Sequence, residues 1–178
     1  MPRENIVLIG FMGSGKSSVG RMIAAKLDYR FIDTDHLVIQ KNGSEISEIF
    51  KNQGEPFFRD QENLALESLR DTERCVIATG GGIVTRRENI ALLRELGFVI
   101  WLTAEEEVIF ERVSRNTKRP LLHTPNPRET ISNLLAQRNP LYAEAAQFTL
   151  DTSNYPHAGL TETIIAEAER YFEQQRMG

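Results

Sequence analysis

The chain has 178 residues, of which 40% are hydrophobic and 26% charged, with a net charge of -4. That is the balance of one globular domain spanning 1–178, with enough apolar residues for a real core and no low-complexity tract or internal repeat. The acidic balance disfavours a nucleic-acid partner, because phosphate backbones are bound by a net basic face. The single cysteine, Cys75, rules out an internal disulfide, and no apolar stretch reaches bilayer-spanning length. The expectation is a cytoplasmic monomer that handles small molecules and contacts no membrane.

In chain order, short apolar runs alternate with amphipathic helical stretches. That alternation predicts an α/β fold, a parallel sheet with helices on both faces. The predicted strands are Ile6 to Ile9, Phe31 to Ile32, Cys75 to Ala78, Val99 to Leu102 and Phe148 to Leu150. All are short and evenly apolar, so all are expected to lie centrally in the sheet. Predicted helices begin near Lys16, Thr34, Glu45, Pro56, Arg87, Ala104, Arg128 and His157, several of them preceded by Ser, Thr or Asp residues able to cap them. Between two helical stretches, Ser114 to Pro127 is rich in proline and basic residues and has little periodicity. It reads as a long surface loop, either a lid over a site or a plain connector.

The first strand leads directly into Gly10-Phe11-Met12-Gly13-Ser14-Gly15-Lys16-Ser17, which fits G-x-x-x-x-G-K-[ST] and opens the first helix. A loop of this kind must turn sharply with N–H groups facing inward, and the helix start adds a favourable dipole for anions. Gly13, Ser14, Gly15, Lys16, Ser17 and Ser18 are therefore expected to cradle the phosphates of ATP. Lys16 is assigned to the β and γ phosphates and Ser17 to Mg²⁺. The sequence lacks N-K-x-D, which disfavours a GTPase, and lacks the long apolar run ending in Asp that larger ATPases carry.

The second strand ends in Asp33-Thr34-Asp35. Two carboxylates at the C-terminal edge of an α/β sheet can divide their work, Asp33 towards Mg²⁺ and Asp35 towards an acceptor hydroxyl, or both can simply cap the next helix. Gly80-Gly81-Gly82 after the third strand allows close approach of a ligand to the backbone, as would any flexible turn. Arg59 is flanked by Phe57 and Phe58, which could wall off an apolar ring, and Arg138 stands in a helical stretch. Two arginines converging on one point would select a carboxylate, although each alone reads equally as a surface ion-pair partner. Arg112, Arg115, Lys118 and Arg119 make the lid candidate positively charged, either as a device that closes over phosphates or as a solvated basic face.

Taken together, G-F-M-G-S-G-K-S, D-T-D, Phe58-Arg59, G-G-G and the R-P-L-L of Arg119 to Leu122 resemble the shikimate kinases in order and spacing across nearly the whole chain. The resemblance implies a nucleoside monophosphate kinase-like fold with a mobile lid over about 114–127 and an acceptor-binding region over about 34–62. It also implies ATP-dependent phosphorylation of the 3-hydroxyl of shikimate. By the same resemblance Asp35, Arg59, Gly80, Gly81, Gly82 and Arg138 would hold shikimate, with Asp35 as the base. Lys16, Ser17, Asp33 and Arg119 would serve the phosphates and Mg²⁺. Leu150 to Pro156 is similar to the family's adenine loop, so that Arg112 and Pro156 would sandwich the adenine.

Overall fold

All four residues of β1 (Ile6–Ile9) are fully buried, which a strand achieves only with paired neighbours on both edges and cover on both faces. The computed structural model, which describes residues 3–115, 124–154 and 157–177, supplies both. The chain runs β1, α1 (Lys16–Leu27), β2 (Arg30–Asp33), α2 (Thr34–Asn42), α3 (Ile46–Glu67), β3 (Cys75–Ala78), a 3-10 turn (Ile83–Thr85) and α4 (Arg87–Leu96). It continues through β4 (Phe98–Thr103), α5 (Glu106–Ser114), α6 (Pro127–Ala145), β5 (Phe148–Asp151) and α7 (His157–Met177). The five strands form one sheet in the order β2-β3-β1-β4-β5, every pair parallel.

Strand periodicity sorts β1 between two cores. Val7 and Ile9 face one core with Leu66, Leu93 and Leu96, Ile109, and Ile131 and Leu135, contributed by α3, α4, α5 and α6. Ile6 and Leu8 face the other with Val19 and Ile23 of α1 and Leu160, Ile164 and Phe172 of α7. Helices thus cover both faces, as the alternating pattern predicts. A third, smaller cluster of Val38, Ile49, Phe58 and Ala65 welds α2 to α3.

Three expectations need correction or refinement. Only β1, β3 and β4 lie centrally, whereas β2 and β5 are the sheet edges and carry partly exposed residues. The helices expected near Glu45 and Pro56 both form, joined within α3 across a kink at Gly54, whose φ 83 and ψ 171 an L side chain rarely adopts. Phe58 lies directly beside Arg59, whose guanidinium sits over its ring at 5.3 Å from the centroid. Phe58 is 5% exposed, its ring 4.8 Å from that of Phe50, and Phe57 packs against the same α2–α3 cluster, because both rings lie on the face that joins the two helices.

At the opposite edge of the sheet from the glycine-rich loops, Asn5 ties three strand starts together. Its Nδ2 donates to the Thr72 and Leu96 carbonyls, both at 2.8 Å, and its Oδ1 accepts from Cys75 N at 3.0 Å. Its side chain is fully buried. Replacement Asn5→Ala leaves these backbone groups without partners, each at a penalty of about 1–3 kcal/mol where water does not reach. Urea unfolding of the variant is expected to show a loss of about 3 kcal/mol with an unchanged denaturant slope.

Candidate active site

The loop after β1 is shaped by glycines in the left-handed region, Gly13 at φ 79 and Gly15 at φ 95, the latter being the N-cap of α1. The first helical bond runs from Val19 N to the Gly15 carbonyl at 2.9 Å, so the N–H groups of Ser17 and Ser18 have no acceptor within the helix and face the loop's mouth. Lys16 is 8% exposed, and its Nζ donates to the Gly10 and Phe11 carbonyls at 2.8 and 2.9 Å. These contacts fold the ammonium back over the loop. Ser14 is fully buried, its N–H donating to the Phe11 carbonyl at 3.2 Å. A preformed concavity of N–H groups, a helix start and a lysine is an anion site suited to a polyphosphate.

The end of β2 is joined to this loop. Asp33 performs two tasks with its two oxygens, accepting from Asp35 N at 3.0 Å to cap α2 and from the Ser17 hydroxyl at 3.0 Å. The capping alternative therefore holds for one oxygen only. Thr34, fully buried, accepts from Gly80 N through its Oγ1 at 3.2 Å and so ties the D-T-D segment to the glycine triplet. Space at the triplet is tight. A Cβ on Gly80 would lie 2.5 Å from Glu62 Oε1 and 2.7 Å from Asp35 Oδ1, and one on Gly82 would lie 2.1 Å from Arg59 Nη1. Glycine is needed here because charged side chains approach the backbone too closely for any other residue.

Arg59 and Arg138 are not surface ion-pair partners, being 8% and 4% exposed. Arg59 donates to Glu62 Oε2 at 2.6 Å and to Glu55 Oε1 at 2.7 Å. Arg138 stacks over the ring of Phe11, 5.7 Å from its centroid, which places α6 against the phosphate loop. Glu62, Phe11 and Tyr142 are absent from the sequence-level assignment. Glu62 sits three residues after Arg59 and Tyr142 four after Arg138, the helical spacings at which side chains meet. That periodicity was the available signal for both. Glu62 is 1% exposed, and its Oε1 has no hydrogen-bond partner among the described residues. Burial pushes its carboxyl up to about 7, outweighing the opposing pull of Arg59, with Asp35 pushing the same way.

Arg112 belongs to the last turn of α5 and not to the lid segment. Its guanidinium reaches the Gly13 carbonyl at 3.1 Å and the Thr152 carbonyl at 3.0 Å, spanning the phosphate loop and the segment after β5. Thr152, 2% exposed, completes this junction by donating from its hydroxyl to the carbonyl of Ser14 at 3.1 Å or of Thr103 at 2.9 Å. Lys118, Arg119 and Pro156 lie outside the described residues.

The raised Glu62 carboxyl has a consequence for stability. Between about pH 4.5 and 7 the folded chain holds a proton on Glu62 that the unfolded chain has released, so the contribution of this group to stability falls as pH rises through that window. In Glu62→Gln the side chain is neutral at every pH. Urea midpoints measured from pH 4.5 to 7.5 are expected to decline less steeply in the variant than in the unmodified protein.

Comparison with known proteins agrees with this geometry. The family model described as "Shikimate kinase" matches residues 12–169. A shikimate kinase of Thermodesulfovibrio yellowstonii is 48% identical over 167 residues, 94% of this chain and 96% of the relative. One of Geobacter metallireducens is 43% identical over 170 residues, 96% of this chain and 92% of the relative. The structure of shikimate kinase from Acinetobacter baumannii in complex with shikimate matches at a TM-score of 0.87 and 38% identity over 90% of both chains. A gluconokinase from Sinorhizobium meliloti, at a TM-score of 0.64 and 23% identity over 99% of this chain and 97% of that one, shares the fold alone. With a family match across most of its length and relatives this similar from end to end, the chain belongs to the shikimate kinase family.

Proposed function

We propose that the phosphoryl group crosses between the loop after β1 and a hydroxyl steered by Asp35 at the start of α2, with Arg59 and Arg138 holding the acceptor's carboxylate. The reaction is that of the family, transfer of the γ-phosphate of ATP to the 3-hydroxyl of shikimate to give shikimate 3-phosphate and ADP. The single observation that carries the residue assignment is the coupling of the two sides. Ser17 of the cradle donates to Asp33 at 3.0 Å, and Asp33 in turn caps the helix whose first turn carries Asp35.

In this reading the N–H groups of the cradle and the Lys16 ammonium bind the triphosphate, and Lys16 follows the charge of the migrating group. Asp35 orients the acceptor hydroxyl and takes its proton as the bond to phosphorus forms. Phosphoryl transfer passes through a loose transition state, so the placing of the two oxygens in line matters more than the strength of the base. The buried arginines recognise the carboxylate, which a lysine could not grip bidentately. By family resemblance Arg119 adds positive charge at the transferring group, and Arg112 with Pro156 holds the adenine.

The donor set suits Mg²⁺. The Ser17 hydroxyl and the Asp33 carboxylate are hard oxygen donors at the mouth of the cradle, and no group of three or more His, Cys, Asp or Glu that could cage an ion occurs among the described residues. An ion that keeps several waters and takes phosphate oxygens as ligands needs no more. Bound there, Mg²⁺ would neutralise charge on the β and γ phosphates. One chain supplies both substrate sites, which supports a monomer, and dependence on ATP supports a cytoplasmic enzyme.

A coupled assay offering shikimate, gluconate and nucleoside monophosphates tests the acceptor. Turnover of shikimate is expected, and turnover of gluconate alone would end the assignment. Lys16→Met and Asp35→Asn are expected to abolish turnover while the circular dichroism spectrum stays that of the unmodified protein. Arg59→Ala and Arg138→Ala each remove a charge-assisted contact of about 1.5–3 kcal/mol, which raises the KM for shikimate about ten- to a hundredfold. The KM for ATP is expected to change little, and equal effects on both substrates would contradict the roles given to the two arginines.

A further inference from the structure

Tyr142 is fully buried, on α6 one turn after Arg138. Its ring packs against Trp101, centroid to centroid 5.7 Å, and a phenylalanine would fill that space equally well. The hydroxyl is what packing does not explain. It donates to the carbonyl of Gly81, a group in the glycine triplet and not in a strand ladder, and the Arg138 guanidinium, one turn earlier on the same helix, acts on it from close by. Gly81 is held from its other side by the phosphate loop, since a Cβ there would lie 3.2 Å from Met12 N and 3.6 Å from the Gly10 carbonyl. Arg138 is likewise held on two sides, by this hydroxyl and by the ring of Phe11.

One buried oxygen therefore lies against two of the elements assigned to the acceptor. Its single proton goes to Gly81, which leaves its lone pairs to the neighbouring Arg138 guanidinium. Burial holds the phenol well above its usual range, so it remains a donor throughout the pH range in which the protein is folded. We propose that Tyr142 is a positioning residue for the acceptor, its hydroxyl fixing the distance between the Gly80 to Gly82 wall and the Arg138 guanidinium and thereby the affinity for a carboxylated alcohol. A guanidinium anchored at one point presents its remaining N–H groups in one orientation. A glycine-rich turn anchored at its central carbonyl loses the freedom that would otherwise be removed only when the acceptor binds.

The inference rests on the acceptor site assigned above, and the experiment separates the two. Steady-state kinetics are measured for Tyr142→Phe and for Arg138→Ala, with thermal unfolding of each. In Tyr142→Phe the KM for shikimate is expected to rise at least fivefold, with kcat and the KM for ATP within twofold of the unmodified protein. A purely structural role would lower the unfolding temperature without this split between substrates. If Tyr142→Phe fails to fold, leaves the shikimate KM within twofold, or raises both KM values together, the hydroxyl serves only the core and the proposal is overturned. Should Arg138→Ala raise the shikimate KM while Tyr142→Phe does not, the tether falls alone. If neither does, the acceptor site falls with it.

Discussion

The parallel register of β2, β3 and β1 is the constraint on which the site depends. Ala78, the last residue of β3, is level with Leu8 of β1 on one side and with Asp33 of β2 on the other. The chain leaving each of these strands therefore emerges at the same height on the same edge, with the glycine triplet between the phosphate loop and the D-T-D segment. Parallel strands need long crossovers, and here α1 and the α2–α3 pair supply them. No side-chain contact could hold Ser17 within 3.0 Å of Asp33 if the sheet slipped by one residue, because a slip of one turns every strand residue to the other face. Backbone hydrogen bonding thus sets the coarse geometry, and the Ser17–Asp33 and Gly80–Thr34 contacts refine it.

Upon this frame lies an unusual concentration of buried charge: Lys16, Arg59, Glu62 and Arg138 are all less than 9% exposed. Burying charge is unfavourable unless it is paired or bonded. Arg59 is compensated by Glu62 and Glu55, Lys16 by carbonyl oxygens, and Arg138 by the face of Phe11 and the hydroxyl of Tyr142. The contacts shown for Lys16 and Arg138 include carbonyl dipoles and a π face. Buried guanidinium groups held in this way suit the carboxylated acceptor proposed above.

The sequence made the chemistry at strand ends legible because that chemistry is local. The phosphate loop, Asp33, Asp35 and the glycine triplet each follow a strand directly, so placing the strands placed the residues. Helix-borne partners were harder. Glu62 and Tyr142 stand at i+3 and i+4 from arginines that motif reasoning had already singled out, but the same spacings occur on every solvated helix. Only burial separates a site pair from a surface pair, and burial depends on which face of α3 or α6 meets the sheet. The edge positions of β2 and β5 were hidden because a four-residue apolar run reads alike at the centre and at the rim of a parallel sheet.

A phosphate cradle at the end of a first parallel strand serves kinases with many acceptors, so the acceptor must be chosen elsewhere in the fold. In the assignment proposed above the choice falls to side chains from two helices, α3 with Arg59 and Glu62 and α6 with Arg138 and Tyr142, that approach the same glycine triplet. The contacts within the triplet are close. Gly80 makes room for Asp35 and Glu62, Gly82 makes room for Arg59, and Gly81 is held between the phosphate loop and Tyr142. A side chain on any of the three would displace a different charged or anchoring group. In the proposed reading, acceptor recognition and phosphate binding share one short stretch of backbone, and the order of the strands puts that stretch between them.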